Sequence, residues 1–266
     1  MSLSSLASRY DLLLCDLDGT VWVGDEPTPG AVEALEAWRA AGKAIAFVTN
    51  ETRLTELEFV RKLWGIGAQA SVEEVVTAGG ALQHHLAEHP EWHSAYVIGS
   101  DAVYRNVEGA GKRIVNHTTF DERADVVVLA IHDGFDHDEL RTAIRCALRG
   151  APVIAATRDA NFPLADGPSP GTGTIVAAVE AGAGVTATSV GKPEPGLFLT
   201  ALDRMSGADP VRALVVGDRL DTDIAGAHAA GLPGVLVLTG SEDAAPSKDV
   251  PGLITTRDSL AALLLA

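Results

Sequence analysis

Two aspartates, Asp16 and Asp18, lie two residues apart directly after the apolar run Leu12-Leu13-Leu14. This run lacks the alternation of a half-exposed strand, so it predicts a short parallel strand that is covered on both faces. Residues two apart in an extended chain point their side chains the same way. Carboxylates at the end of a buried strand cost free energy unless a cation or hydrogen bonds stabilise them. Taken alone, the pair also fits a strand followed by an acidic turn.

Polar residues follow two further apolar runs. Thr49 and Asn50 come after residues 44–48, and Asp218 comes after residues 213–217. In open parallel sheets, ligands bind beyond the carboxyl ends of the strands, which is where these side chains are expected. Thr49 and Asn50 alone also fit a turn with a helix N-cap.

A lysine and two more aspartates complete the candidate set. Lys192 precedes Pro193, which favours an extended conformation for the lysine and lets its ammonium point back across the sheet edge. Alone, Lys192 would be an ordinary solvated lysine. Asp221 most simply caps the helix that follows it, and Asp223 lies two residues further on. Together, these segments supply an acidic cluster, a hydroxyl, an amide and one cation to a single crevice.

The elements that must position these residues alternate between strands and helices. The pattern predicts strands at residues 10–16, 44–49, 211–217 and 234–238, and helices at residues 30–41, 54–64, 221–230 and 257–266. Such alternation predicts an α/β fold with a doubly wound parallel, Rossmann-like sheet.

The middle of the chain forms a second group of elements. The predicted strands are residues 95–98, 126–131 and 153–156, with a helix at 140–149 and a loop rich in Pro, Gly and Asp at 156–173. We therefore predict an α/β domain at residues 79–187, inserted into a core domain made of residues 1–78 and 188–266.

Composition excludes several classes of function. The chain has 266 residues, of which 47% are hydrophobic, so it is not mainly disordered and is long enough for two domains. A net charge of −16 argues against nucleic acid as a partner. No apolar run approaches the length of a membrane helix, and the first residues lack a signal-peptide pattern. The two cysteines predict no structural disulfide, which fits a reducing cytoplasm.

One cluster imitates a metal site. Residues 132–139 contain the six potential ligands His132, Asp133, Asp136, His137, Asp138 and Glu139. Asp136 followed by Glu139 three residues later is better interpreted as a capping box at a helix start. The loop at residues 170–174 carries neither phosphate-binding glycine motif in full, so it is interpreted as a helix entry.

The four segments occur in the order of a known family. They resemble the haloacid dehalogenase superfamily of aspartate-nucleophile phosphatases, and in particular its NagD and p-nitrophenyl phosphatase branch (subfamily IIA). The matching motifs are Asp16-Leu17-Asp18-Gly19-Thr20, Thr49-Asn50, Lys192, and Gly217-Asp218 with Thr222-Asp223. That branch carries a large C2-type α/β cap between its second and third motifs, which corresponds to residues 79–187.

The resemblance implies a role for each carboxylate. Asp16 would attack phosphorus and form an aspartyl-phosphate, while Asp18 would protonate the leaving alkoxide and then activate water. Mg²⁺ would be held by Asp16, the backbone carbonyl of Asp18 and Asp218, with Asp223 as a ligand or beside the ligands. A carboxylate approaching a phosphate dianion meets about 4 kcal/mol of repulsion per close charge pair at an effective dielectric near 20, so the charge count also calls for the metal.

The phosphoryl oxygens would be held by Thr49, the backbone of Asn50 and Lys192. In this implied arrangement, Lys192 supplies positive charge to the transition state.

The candidates for substrate specificity are Glu51, Arg53, Arg158, Asp159 and Phe162. Glu51 stands where the family often has a second Asn, and its role is left open. Arg53 would either meet a substrate carboxylate or pair with Glu51. Arg158 would contact a carboxylate or form a salt bridge to Asp159 or Asp166. Phe162 stands where pyridoxal-phosphate phosphatases carry a histidine, which disfavours that substrate.

The predicted function is a cytoplasmic, Mg²⁺-dependent phosphatase acting on small phosphate monoesters. Glycerol phosphate, phosphoglycolate or a similar compact metabolite would be the substrate, with p-nitrophenyl phosphate turned over in vitro. The alternatives are a phosphotransferase using the same intermediate and a non-catalytic ligand-binding protein on a phosphatase fold. The family resemblance also implies a possible homodimer formed through the cap.

Overall fold

The computed structural model describes residues 2–164, 167–205, 209–242 and 244–266. The chain divides into two compact units. The first unit comprises Met1–Thr49, Glu56–Val76 and Lys192–Ala266, and the second comprises Asn50–Thr55 and Thr77–Gly191. Within the described ranges, no helix is both long and apolar enough to cross a membrane.

The strands and helices follow one another along both units. In chain order the strands are β1 Leu12–Cys15, β2 Trp22–Val23, β3 Glu26–Pro27, β4 Ala44–Thr49, β5 Val75–Thr77, β6 Ser94–Ile98, β7 Arg113–Ile114, β8 Val126–Leu129, β9 Val153–Ala155, β10 Asn161–Leu164, β11 Gly167–Pro170, β12 Thr188–Ser189, β13 Ala213–Gly217, β14 Gly234–Val237 and β15 Leu253–Arg257. The α-helices are α1 Ala31–Ala40, α2 Glu56–Gly65, α3 Ala78–Ala87, α4 Asp101–Gly109, α5 His137–Leu148, α6 Thr172–Ala183, α7 Gly196–Arg204, α8 Ala225–Ala229 and α9 Leu260–Leu264.

The first unit is built on a six-stranded sheet with the order β15-β14-β13-β1-β4-β5. Parallel pairing joins β1 to both β13 and β4. Cys15, the last residue of β1, lies opposite Val216 on one side and Phe47 on the other. The carboxyl ends of three adjacent strands therefore meet at one edge of the sheet, where Asp16, Thr49 and Asp218 follow or end them.

Burial explains why these segments form these elements. All four residues of β1 are buried, as expected for a central parallel strand. Helix α1 buries Ala31, Ala34, Leu35 and Trp38, which share one helical face at the i, i+3, i+4 and i+7 spacing. The Trp38 indole also donates to the carbonyl of Ala44 at 2.8 Å, which ties the helix to the start of β4.

The second unit contains a five-stranded parallel sheet with the order β12-β9-β8-β6-β7. Its core packs α5 and α6 against the sheet through residues such as Leu129, Ala143 and Val176. Asp136 accepts hydrogen bonds from the backbone N–H groups at the start of α5, and Glu139 completes the capping box as predicted. The predicted α/β class with parallel sheets is confirmed.

Several elements differ from the sequence-based prediction. Residues 253–257 form strand β15, so the closing helix begins only at Leu260, where the Ser259 hydroxyl caps it. The predicted loop at 156–173 contains the antiparallel pair β10 and β11. Its Pro and Gly content hid these strands, because proline is tolerated in strands only at edges and bulges.

Candidate active site

Three buried carboxylates converge at the carboxyl edge of the first unit's sheet. Asp16, Asp218 and Asp223 each offer an oxygen within 4.8 Å of the others. Their relative exposures are only 7%, 3% and 1%. Asp16 follows β1, Asp218 follows β13, and Asp223 lies in the π-helical turn Leu220–Ile224. The sheet and this turn therefore bring together three of the predicted metal ligands.

Lys192 bridges two of these carboxylates. Its Nζ lies 2.5 Å from Asp16 Oδ1 and 2.6 Å from Asp223 Oδ1, and it also donates to the carbonyl of Val48 at 3.1 Å. The lysine is buried, as are both partners. Burial opposes the charged form, but the Asp16 and Asp223 carboxylates outweigh it and raise the pKa of Lys192 above its ordinary range. The ammonium therefore stays protonated across the physiological range.

The cluster carries an excess of negative charge. Burial raises the pKa of Asp16 well above its ordinary value, and the Asp223 and Asp218 carboxylates oppose the effect of Lys192. Burial and the charge of Asp223 raise the pKa of Asp218 to about 6. Three oxygen donors facing one ammonium fit a hard divalent cation such as Mg²⁺, which would offset the remaining charge.

Asp218 is held in a tight backbone cradle. The N–H of Ser241 donates to its Oδ2 at 2.5 Å. A Cβ on Gly19 would lie 2.4 Å from that oxygen, and a Cβ on Gly240 would lie 2.2 Å from it. Gly19 also has a φ of +83°, which favours glycine. Sequence reasoning missed Gly240 and Ser241; their only signal is that they follow the strand adjacent to β13.

Asp18 occupies a different environment from Asp16. Its side chain is exposed, and its Oδ1 accepts a hydrogen bond from the Trp22 indole at 2.8 Å. Trp22 is itself fully buried, so the indole gives the carboxylate a fixed anchor. Sequence reasoning did not identify Trp22 as a partner.

One prediction for residues 217–223 is wrong. Asp221 does not cap the following turn, because the turn begins at Leu220 without a side-chain cap. The Asp221 carboxylate instead pairs with the Arg219 guanidinium at 2.8 and 3.0 Å. Asp223 accepts from the backbone N–H of Arg219 at 3.2 Å, which fixes it beside Lys192.

Thr49 and Asn50 lie on either side of the boundary between the two units. Thr49 is the buried last residue of β4, next to the Val48 carbonyl that accepts from Lys192. Asn50 opens the second unit, where its Nδ2 donates to Asp159 Oδ2 at 2.9 Å. Their proposed contacts with phosphoryl oxygens stay predictions.

Glu51 and Arg53 pair with each other. Arg53 Nε lies 3.0 Å from both carboxylate oxygens, and Nη2 also contacts Oε2. The Arg53 guanidinium lies 4.4 Å from the centre of the Phe162 ring. Arg53 was predicted either to meet a substrate carboxylate or to pair with Glu51, and in the structure it forms the ion pair with Glu51.

Arg158 also has a partner within the second unit. Its Nη2 lies 2.7 Å from Glu180 and 2.6 Å from the carbonyl of Ala187. The predicted salt bridge to Asp159 is therefore replaced by one to Glu180, since the Asp159 carboxylate accepts from Asn50. Asp166, the other predicted partner, lies outside the described residues.

Comparisons with known proteins agree with this geometry. A model of the haloacid dehalogenase-like hydrolases matches residues 13–113, and a second, HAD-hydrolase-like model matches residues 189–261. The D-glycerol 3-phosphate phosphatase of Mycobacterium tuberculosis is 38% identical over 243 residues, which cover 91% of this chain and 67% of that protein. Human chronophin is 35% identical over 253 residues, covering 90% of this chain and 84% of chronophin.

A solved structure with the same fold carries a metal. The crystal structure of the glycerol phosphate phosphatase of Mycobacterium tuberculosis in complex with magnesium is 36% identical with a TM-score of 0.87. The similarity covers 99% of this chain and 79% of that one.

Proposed function

The chain belongs to the haloacid dehalogenase-like hydrolases, and we propose that it is a Mg²⁺-dependent phosphatase that hydrolyses small phosphate monoesters. The observation that carries this proposal is the buried trio of Asp16, Asp218 and Asp223, with Lys192 bonded to two of its members. A stable protein has little reason to bury three carboxylates around one ammonium unless a cation offsets the charge. The related phosphatase solved with magnesium supports the identity of that cation.

In the proposed reaction, one Asp16 carboxylate oxygen bonds to phosphorus while the ester oxygen leaves. Asp18 gives its proton to the departing alkoxide, and then accepts a proton from the water that attacks phosphorus. Inorganic phosphate leaves, and the Asp16 carboxylate is restored. Asp16, Asp218, Asp223 and the Asp18 carbonyl would hold Mg²⁺, which supplies charge neutralisation to the phosphoryl oxygens when bound.

The two aspartates suit these unequal roles. Asp16 is buried and fixed by Lys192, as a nucleophile must be to attack along one line. Asp18 is exposed and anchored by the Trp22 indole, so it can exchange protons with solvent between steps. The Thr49 hydroxyl, the Asn50 backbone and Lys192 would bind the remaining phosphoryl oxygens.

We also propose that the second unit corresponds to the inserted cap of this branch and carries the specificity residues. Its five-stranded parallel sheet and helices α3–α6 agree with an α/β cap. Glu51, Arg53, Arg158, Asp159 and Phe162 all belong to this unit.

Phosphate release from a panel of phosphate esters tests the proposal. The purified protein with Mg²⁺ is expected to hydrolyse glycerol phosphate, phosphoglycolate or a related compact ester, and also p-nitrophenyl phosphate, with EDTA abolishing release. Adding a second alcohol separates hydrolysis from phosphotransfer, since predominant transfer would contradict the hydrolase. No release from any ester would favour a ligand-binding role instead.

Two further proposals concern the setting of the enzyme. Cys15 and Cys146 are both buried free thiols, which supports a reducing cytoplasm.

Phe120 and Leu148 are apolar residues of the second unit that are exposed by 55% and 63%. Phe120 directly precedes Asp121–Arg123, which packs on α5, and Leu148 is the last residue of α5. These exposed side chains support a homodimer formed through the second unit. Sedimentation of the wild type and of a Phe120→Ser/Leu148→Ser variant tests the dimer; a monomeric wild type would contradict it.

A further inference from the structure

The Glu51–Arg53 pair follows the phosphoryl-binding segment directly. Glu51 lies two residues along the chain from Thr49. Two residues of fully extended chain span at most about 7 Å, so the covalent backbone keeps Glu51 close to the position proposed for the phosphoryl group. A charged group this near along the chain is a candidate to act on the alcohol part of a bound phosphate ester.

Glu51 is held firmly by its surroundings. Its Oε1 accepts the backbone N–H groups of Thr52 and Arg53, both at 2.8 Å, and it also accepts from Arg53 Nε. Burial disfavours its charged form, but the hydrogen bonds and charge of Arg53 outweigh this and lower the pKa of Glu51. The carboxylate is therefore ionised at neutral pH and is held in place by the donors of Thr52 and Arg53.

Arg53 is also held by its neighbours. Two of its three guanidinium nitrogens, Nε and Nη2, bond to Glu51, and its plane lies over the Phe162 ring. The side chains of Arg53 and Glu51 are exposed by 33% and 19%. An arginine presents its fork to one carboxylate at a time in this geometry, so a substrate carboxylate would have to displace Glu51.

Arg158, the other arginine among the specificity candidates, forms an ion pair with Glu180. Arg158 is bonded to Glu180 and to the carbonyl of Ala187, and Glu180 is tied to the backbone N–H of Ala187 at 2.8 Å. Both arginines are thus neutralised by carboxylates of the same unit. Asp159 adds a further negative charge beside Asn50.

We propose that Glu51 is a specificity-determining residue: by holding Arg53 it selects phosphate esters whose alcohol part is neutral and hydroxyl-bearing, and it disfavours esters that carry a carboxylate. This inference rests on the proposed phosphatase function. A substrate carboxylate would meet the Glu51 anion and find the Arg53 fork occupied, whereas a polyol hydroxyl can donate to the Glu51 or Asp159 oxygens.

Substitution Glu51→Gln tests the inference, because it keeps the shape of the side chain and removes its charge. The measurement is kcat/KM with Mg²⁺ for glycerol phosphate and for phosphoglycolate, with p-nitrophenyl phosphate to show that each variant is active. The wild type should favour glycerol phosphate. Glu51→Gln should raise the ratio of phosphoglycolate to glycerol phosphate by about 10- to 100-fold, the range of one charge-assisted hydrogen bond, chiefly through a lower KM for phosphoglycolate.

A double variant identifies the group responsible. Glu51→Gln/Arg53→Gln should lose the gain, because the released guanidinium is then absent. Glu122→Gln is the matched control: it also removes a carboxylate from an arginine ion pair in the second unit, with Arg145 and Arg149, and should keep the wild-type ratio.

Three results would overturn the inference. A wild type that prefers phosphoglycolate would contradict it, as would an unchanged ratio in Glu51→Gln, or a gain that persists in the double variant. Each of these leaves the phosphatase function standing if p-nitrophenyl phosphate is hydrolysed. Absence of phosphate release from every ester would overturn both.

Discussion

The ammonium of Lys192 is bonded to Asp16 and Asp223 at 2.5 and 2.6 Å, so its charge compensates two buried carboxylates. A buried carboxylate that loses its partner keeps its desolvation cost without compensation. The same ammonium is the cation that we place against the phosphoryl oxygens.

Replacing Lys192 by Met should therefore have two effects. The free energy of unfolding in EDTA at neutral pH should fall by about 3–5 kcal/mol, as for other broken buried ion pairs. Phosphate release with Mg²⁺ should fall by roughly 100-fold or more, the usual cost of removing one transition-state donor. Urea unfolding and steady-state rates measure the two effects.

Lys248→Met provides the control, because that lysine is exposed and its loss should change stability by less than about 0.5 kcal/mol. Equal stability of the Lys192 and Lys248 variants would contradict the charge role assigned to Lys192.

Asp18 is expected to act through its proton. Asp18→Asn should lower turnover of glycerol phosphate by about 10²- to 10⁴-fold, the range for general acid–base catalysis. Turnover of p-nitrophenyl phosphate should fall less, because nitrophenolate leaves without protonation. Rates for a series of leaving groups measure this difference. Asp25→Asn is the control: this side chain is 99% exposed, and its substitution should change neither rate. If Asp18→Asn instead lowered turnover equally for all leaving groups, that would count against the acid role of Asp18.

At the residue scale, the charged residues of the site could be predicted from the sequence, but the residues that position their carboxylates could not. The DxDGT segment and Lys192 stand out because their types and spacing are unusual beside apolar strands. Trp22, Gly240 and Ser241 do not stand out, since an indole or a backbone N–H becomes a partner only once the sheet has brought distant segments together.

At the scale of elements, the loop after β14 closes around Asp218. A Cβ on Gly240 would lie 2.2 Å from Asp218 Oδ2 and 2.6 Å from the Cα of Gly19. The second atom belongs to the backbone, so the clash has no side chain that could simply swing away.

Gly240→Ala should displace the Asp218 carboxylate and weaken Mg²⁺ binding. The Mg²⁺ concentration for half-maximal activity should rise by about 10- to 100-fold, as when supporting groups of a metal site are altered. Gly65→Ala is the control, because that residue ends α2 and a Cβ there meets nothing within 4 Å. An unchanged Mg²⁺ requirement in Gly240→Ala would remove Asp218 from the metal site.

The amino ends of three neighbouring strands are joined by a second charge cluster. Asp11, just before β1, accepts from Arg212, just before β13, at 2.8 Å and from Lys43, just before β4, at 3.3 Å. The hydrogen bond to Arg212 is the main cause that lowers the pKa of Asp11 from 3.8 to about 2.

A carboxylate whose pKa is lowered on folding stabilises the protein above its unfolded pKa, and this contribution is lost as the pH falls through the folded pKa. Asp11→Asn should therefore unfold at a lower urea concentration than the wild type at pH 6. The gap between the two proteins should narrow as the pH falls from about 4 to about 2. Urea titrations across this range measure it, and a gap that stays constant with pH would refute the charge contribution.

Element bounds were predictable where burial alone decides them. Strand β4 occupies the predicted residues 44–49, since a continuous apolar run between turn residues has few alternatives. Strand β15 was missed because Ile254, Thr255 and Thr256 are only partly buried or exposed, so periodicity is weak there. Asp221 was misjudged because Arg219 competes for its carboxylate.

At the scale of the whole molecule, the negative net charge of the chain would be expected to repel the anionic substrate proposed for it. The chain carries a net charge of −16, yet its proposed substrate is an anion. Local charge resolves this, because Lys192 and a bound dication would set the potential at the sheet edge. The alternation of predicted strands and helices along the chain predicted the α/β class with parallel sheets, since βαβ connections leave few topologies. The Glu51–Arg53 ion pair was one of two roles predicted for Arg53, and the sequence could not decide between Glu51 and a substrate carboxylate as its partner.

The central claim is that Asp16 becomes phosphorylated during turnover. The most direct test is to mix the protein with Mg²⁺ and ³²P-labelled p-nitrophenyl phosphate, quench with acid, and locate the label by peptide mass spectrometry. We predict a hydroxylamine-sensitive phosphoryl group on the peptide that contains Asp16, and neither label nor turnover in Asp16→Asn. Phosphate release without a labelled peptide, together with near-normal rates in Asp16→Asn, would contradict the account.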